Sequence, residues 1–96
     1  MKPVTHLVFW ALKEENRAGN ALRIKEMLEA LVGVIPGLLE MRVGENLNGG
    51  PYDLALCSRF ESLEALHAYE NHPAHQKVRA FVSQVRTDRA AVDFEE

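Results

Sequence analysis

Only one cysteine occurs in the chain, Cys57, so no disulfide can close within it. That residue sits in an apolar, strand-like run and reads as a small core side chain. No run of lysine and arginine is present to track a phosphate backbone, which argues against nucleic acid as a partner. No apolar stretch approaches the ~20 residues that a membrane-spanning helix needs. The N-terminal Met-Lys-Pro-Val-Thr-His carries no apolar signal region ending in a cleavage site, so a cytoplasmic protein is expected. There is no glycine-rich phosphate loop, no Ser/His/Asp order and no internal repeat, linker or low-complexity segment.

What is present suits one core. Hydrophobic residues make up 47% of the 96 positions, and the formal charge of −3 is spread over interspersed acids and bases. A chain of this length fits one domain, 1–96, and buries roughly two-thirds of its unfolded surface on folding. It needs no metal or disulfide to do so.

The hydrophobic pattern gives the elements. Val4 to Leu12 is strand-like, with His6, Val8, Trp10 and Leu12 on one face and Leu7, Phe9 and Ala11 on the other. Both faces are apolar, so both must be covered. A helix is expected from Arg17 to Leu31 or beyond, with Asn16 or Asn20 at its start. Ile24, Met27, Leu28, Leu31 and Ile35 form its apolar stripe. Gly33 and Pro36-Gly37 stop it. Leu39 to Gly44 alternates as a second strand, with Leu39, Met41 and Val43 inward. Asn46 to Pro51 is a turn, and Tyr52 to Phe60 a third strand.

Ser62 caps a short helix whose stripe is Leu63, Leu66 and Tyr69 or Glu70. The break at Asn71-His72-Pro73 starts another, with Ala74, Val78, Phe81, Val82 and Val85 inward. Arg89 to Glu95 is the last strand, with Ala90, Val92 and Phe94 alternating against Arg89 and Asp93. This order predicts an α+β, ferredoxin-like split βαβ with a four-stranded antiparallel sheet. Helices cover one face of such a sheet. The doubly apolar first strand therefore predicts a homodimer through the open face, forming a dimeric α+β barrel.

Several short motifs, in this order and spacing, resemble the stress-responsive A/B barrel (Dabb) family over almost the whole chain. They are His6-Leu7-Val8, Ile35-Pro36-Gly37, Val43-Gly44, Tyr52 to Leu56, Phe60 to Leu66, Tyr69, His72-Pro73-Ala74-His75 and Arg89 to Phe94. The resemblance implies the dimeric barrel and no cofactor. It also implies a pocket between sheet and helices. In one plant member a histidine and a tyrosine in that pocket close a linear polyketide by aldol chemistry. They match His75 and Tyr69 here, and a pocket histidine on the first strand matches His6. Leu54 stands where that member has a further pocket histidine.

The residues support such a site physically. His75 falls in the first turn of the last helix, three residues before the inward Val78, and His6 shares a strand face with Val8 and Trp10. An imidazole can exchange a proton near neutral pH, and a phenol can donate to a developing enolate. Burial and a helix N-terminus both favour neutral His75. His75 and Tyr69 are thus the candidate catalytic pair, with His6, Val8 and Trp10 lining a site for a small apolar ligand. The structural alternative carries more weight: a histidine near a helix start commonly only satisfies neighbouring groups, and His72 reads as a helix cap or turn anchor rather than a catalyst. His72 and His75 are three apart, but no cysteine or carboxylate completes a metal set. The competing functions are a non-catalytic dimer that binds a small apolar molecule and a cofactor-free lyase, cyclase or isomerase. Oxygen chemistry follows only by analogy with monooxygenases of the same barrel.

Overall fold

The computed structural model describes residues 2–96; Met1 lies outside the described residues. The elements run β1 Val4–Leu12, α1 Arg17–Glu29, β2 Leu38–Glu45, β3 Leu54–Phe60, α2 Leu63–Glu70, α3 Pro73–Val85 and β4 Arg86–Glu95. The strands form one sheet in the order β2-β3-β1-β4, with every pairing antiparallel. This is the expected ferredoxin-like arrangement, and it fixes which side chains meet. In the register, His6 stands opposite Ser58 and Asp93, and Trp10 opposite Leu54 and Arg89. Val8, Trp10, Leu54, Leu56 and Phe60 are buried beneath the helices with Ile24, Leu28, Leu66, Tyr69, Val78 and Val82.

Four boundaries differ from the sequence expectation. Helix α1 ends at Glu29, two residues early, and a turn through Gly33 carries Leu31 and Ile35 into the core. In β2 the register shifts between Leu38 and Glu40, so Leu38 is buried and Leu39 is exposed. An extra residue in a ladder reverses the alternation beyond it, which composition alone does not reveal. Strand β3 begins at Leu54 rather than Tyr52, and β4 begins at Arg86 rather than Arg89.

Local chemistry accounts for the helix ends. Asn16 takes the N-cap position of α1 in the left-handed region, at φ 52°, without a side-chain cap bond. Ser62 Oγ accepts from the Ala65 N–H, and His72 Nδ1 accepts from the Ala74 N–H, so His72 is a helix cap. Lys25 and Glu29 bond each other and the Val43 carbonyl and N–H, docking α1 on the edge strand β2. Gly37 has φ +84°, and a Cβ there would lie 2.7 Å from Ala65 Cβ. Gly37→Ala should therefore cost about 1 kcal/mol for backbone conformation, with more for the clash against α2. A chemical denaturation midpoint equal to that of the parent chain would contradict this account of the turn.

The sheet has an unusual edge. On β4 the apolar Ala90, Val92 and Phe94 pair with Phe9, Leu7 and Thr5 and face away from the helices. Arg89 and Asp93 pair with Trp10 and His6 and face toward them. A one-sided sheet normally puts its apolar face toward the helices. On β4 the apolar residues face the open side instead, and with Phe9 of β1 they leave an apolar patch there, Phe9 38%, Val92 57% and Phe94 47% exposed.

Candidate active site

A cavity of about 290 Å³ opens between the sheet and the helices. Its floor is His6, Val8 and Trp10 of β1 with Leu56 of β3. Leu28 of α1 and Val78 and Val82 of α3 supply apolar walls, and Tyr69 and Glu70 close the end of α2. His75 enters from the first turn of α3. The rim is polar: Arg79 and Ser83 from α3, Arg86 and Arg89 from β4. All five residues singled out in the sequence border this one space. An apolar cavity of about 150 Å³ already accepts a benzene ring, and small-molecule sites begin near 300 Å³. The volume suits one ring with substituents and is too small for a dinucleotide.

The three polar side chains at the buried end are held in defined states. The rings of Tyr69 and His75 lie 4.1 Å apart between centroids and are tilted by 36°. His75 Nδ1 is 3.4 Å from the Glu70 carbonyl oxygen. A carbonyl only accepts, so the proton sits on Nδ1 and the Nε2 lone pair is free. Burial, helped by the nearby Arg79, His6 and Arg89, pulls the His75 pKa down to about 4. His75 is therefore a neutral imidazole at pH 7. Burial pushes the Tyr69 phenol well above its ordinary value, so it stays protonated. Among the described residues the Tyr69 hydroxyl has no hydrogen-bond partner. Its ring packs 4.9 Å from Phe60 and 6.4 Å from His6.

His6 is 4% exposed, and its Nδ1 is hydrogen-bonded to Asp93 Oδ1. The carboxylate can only accept, so the proton lies on Nδ1 and Asp93 fixes the orientation of the ring. Sequence reading placed His6 in the pocket but missed Asp93. The signal was the alternation in β4, which puts Arg89 and Asp93 on the side opposite Val92 and Phe94. Arg79 and Arg86 carried no such signal. Leu54, which stands where the resembling plant member has a further pocket histidine, is 1% exposed and packs in the core.

A second cleft, about 340 Å³, lies between the start of α1 and the loop before β3. Arg17 and Asp53 approach to 3.8 Å in it, and no imidazole lines it. Among the described residues, no group of three His, Cys, Asp or Glu side chains is placed to hold a metal ion. No helix among them is long and apolar enough to cross a membrane.

The family model of the stress responsive A/B barrel domain matches residues 4–96. The chain belongs to this family. Its fold is shared by several solved structures. A dimeric ferredoxin-like protein of unknown function from Bacteroides fragilis is 30% identical, with 98% of this chain and 96% of that one covered and a TM-score of 0.91. Another dimeric ferredoxin-like protein of unknown function, from Thermobifida fusca, is 24% identical, with coverage of 99% and 92% and a TM-score of 0.87. A hydroxynitrile lyase from Passiflora edulis, 16% identical, also superposes with a TM-score of 0.87, over 99% of this chain and 94% of that one. At that identity the likeness is one of fold. No curated protein matches the chain.

The neutral state of His75 has a consequence for stability in this A/B barrel. Its folded pKa, about 4, lies below the ordinary histidine value of 6.5. Between these values the unfolded chain holds the extra proton, so stability rises with pH through that window. The His75 contribution is complete above about pH 6.5 and is lost as the pH falls toward 4. Each unit of difference is worth about 1.4 kcal/mol before a discount for the solvent-reached part of the ring. His75→Gln should flatten the melting temperature between pH 6.5 and 4 relative to the parent. Parallel curves would show that His75 is not buried neutral.

Proposed function

We propose that this A/B barrel protein is a cytoplasmic homodimer that binds a small, largely apolar molecule between sheet and helices. The observation that carries this reading is the cavity itself. It has an apolar floor, and at its buried end the Tyr69 hydroxyl and the His75 Nε2 have no hydrogen-bond partner among the described residues. Groups so placed can turn to a ligand without breaking an existing hydrogen bond. The dimer rests on the apolar open face and on the dimeric relatives. The half-buried free thiol of Cys57 on that face suits a reducing compartment. Ligand-observed NMR with one-ring phenols and ketones tests the binding. Signals that weaken with parent protein but not with a Val8→Trp variant, which fills the floor, are expected. Equal signals with both would place binding elsewhere.

A second reading has its own support: a cofactor-independent lyase, cyclase or isomerase in which His75 and Tyr69 act together. His75 Nε2 takes a proton from a carbon next to a carbonyl, and the carbonyl oxygen becomes an enolate that accepts from the Tyr69 O–H. Returning the proton completes an isomerisation; attack of the enolate on a second carbonyl of a polyketide-like substrate completes a cyclisation. A neutral imidazole whose conjugate acid has a pKa of about 4 is a weak proton acceptor. The reaction therefore depends on the phenol and nearby cations to stabilise the enolate. Solvent deuterium entering 1-phenylbutane-1,3-dione faster than in buffer would support it. Exchange at the buffer rate would leave only the binding role.

A further inference from the structure

The rim of the cavity carries charge of one sign that the proposed pair does not use. Arg79 comes from α3 and Arg89 from β4, so the helix layer and the sheet each bring a guanidinium to the lining. Arg86 stands beside them at the start of β4. Among the described residues, none of the three has a carboxylate within 4 Å, although Arg17, Arg42 and Arg59 elsewhere each do. Among the described residues the one acid lining the space is Glu70, and Asp93 of β4 is already bonded to His6. The opening is thus net cationic above an apolar floor.

We infer that the molecule held in this cavity is a small monocarboxylate, with its carboxylate between Arg79 and Arg89 at the rim and its apolar body on Val8, Trp10 and Leu56. This rests on the cavity being a binding site, and it adds the chemical class of the ligand. The physical case is one of matching. Guanidinium groups present planar pairs of donors that fit a carboxylate, and a charge-assisted bond of that kind is stronger than a neutral one. Two such groups from different elements define a direction, so the carboxylate sets which end of the ligand reaches Tyr69 and His75. A neutral ligand of the same shape would leave both cations at the opening without an anion. A phosphate ester has the charge but adds bulk that the 290 Å³ space does not easily hold beside a ring. The arrangement also couples binding to chemistry. Arg79 and Arg89 both help keep His75 neutral, so an anion placed between them removes part of that effect and makes His75 a better proton acceptor when the site is filled.

The test compares acids with their isosteric amides. Benzoate, 3-phenylpropanoate and hexanoate are titrated by calorimetry against benzamide, 3-phenylpropanamide and hexanamide, in 150 mM salt at pH 7. The acids are expected to bind on the order of ten- to a hundredfold more tightly than the amides. Arg79→Gln with Arg89→Gln should erase that preference, bringing the acids down to the affinity of the amides. Lys77→Gln, an exposed cation of α3 outside the cavity, should leave it intact. NMR titration of the His75 ring should show its midpoint moving up with benzoate and not with benzamide. Acid and amide of equal affinity would overturn the anionic class while leaving the cavity as a binding site. No binding by any of the six probes would overturn both. A preference that survives the double glutamine variant would show that the carboxylate is read elsewhere.

Discussion

Phe9→Glu is expected to convert the protein from a particle of twice the 10.8 kDa chain mass into a folded monomer. The side chain points to the open face of the sheet, opposite Ala55 and Ala90, and its ring meets Tyr52 at 5.9 Å. In the single chain it is 38% exposed, so a carboxylate there costs the monomer little. In a two-fold dimer it would be buried, and it would be buried twice. At about 3 kcal/mol per uncompensated ion, the pair costs the dimer about 6 kcal/mol, or roughly four decades in Kd. Light scattering at micromolar concentration reads the mass, and circular dichroism reads the fold. Leu63→Glu is the control, because Leu63 is 49% exposed on α2, on the helix layer away from that face, and should leave the mass unchanged. A Phe9→Glu dimer of parent mass would mean that the subunits meet through another surface.

The apolar face that motivates this test was legible in the sequence for a simple reason. Nine residues of β1 alternate without a polar side on either phase, and burial on both sides is the one way a strand tolerates Leu7, Phe9, Val8 and Trp10 together. The helices were largely readable because the stripes and the Pro73 break are local signals, although α1 stops two residues early and Leu63 of the expected α2 stripe is 49% exposed. The errors fell where register decides. A single extra residue in β2 exchanged Leu38 for Leu39 at the core, and no composition rule anticipates it. The same distinction holds at the site. His6, Val8 and Trp10 share one strand face, and His75 and Tyr69 flank a helix break, so periodicity brings them together. Asp93 and Arg89 join them through the pairing of β1 with β4, which are at opposite ends of the chain. Arg79 joins through the rotation of α3, and no pattern in the sequence singles it out.

Tyr69→Phe is expected to leave stability nearly unchanged and to slow proton exchange on a bound 1,3-dicarbonyl at least about a hundredfold. The two halves of that result have separate causes. The Tyr69 ring is 1% exposed and packs on Phe60 and His75, and phenylalanine keeps all of that surface. The hydroxyl makes no protein hydrogen bond among the described residues, so its removal orphans no partner and the melting temperature should stay within about 2 °C of the parent, as for a change of a few tenths of a kcal/mol. In the proposed reaction, however, that hydroxyl would be the donor to the enolate oxygen. Its loss falls on the transition state and lowers the rate rather than the affinity. His75→Ala should go further and reduce exchange to the buffer rate, because the accepting nitrogen is gone. Its stability cost should be modest, since the bond it loses is a long one to the Glu70 carbonyl. A structural histidine would behave in the opposite way: about 1–3 kcal/mol lost on substitution and no change in any exchange rate. The decisive readout is therefore the pair of measurements on each variant. Slowed exchange in a fully stable Tyr69→Phe protein assigns the hydroxyl to chemistry, and a destabilised His75→Ala protein whose parent shows no exchange above buffer assigns both side chains to the core.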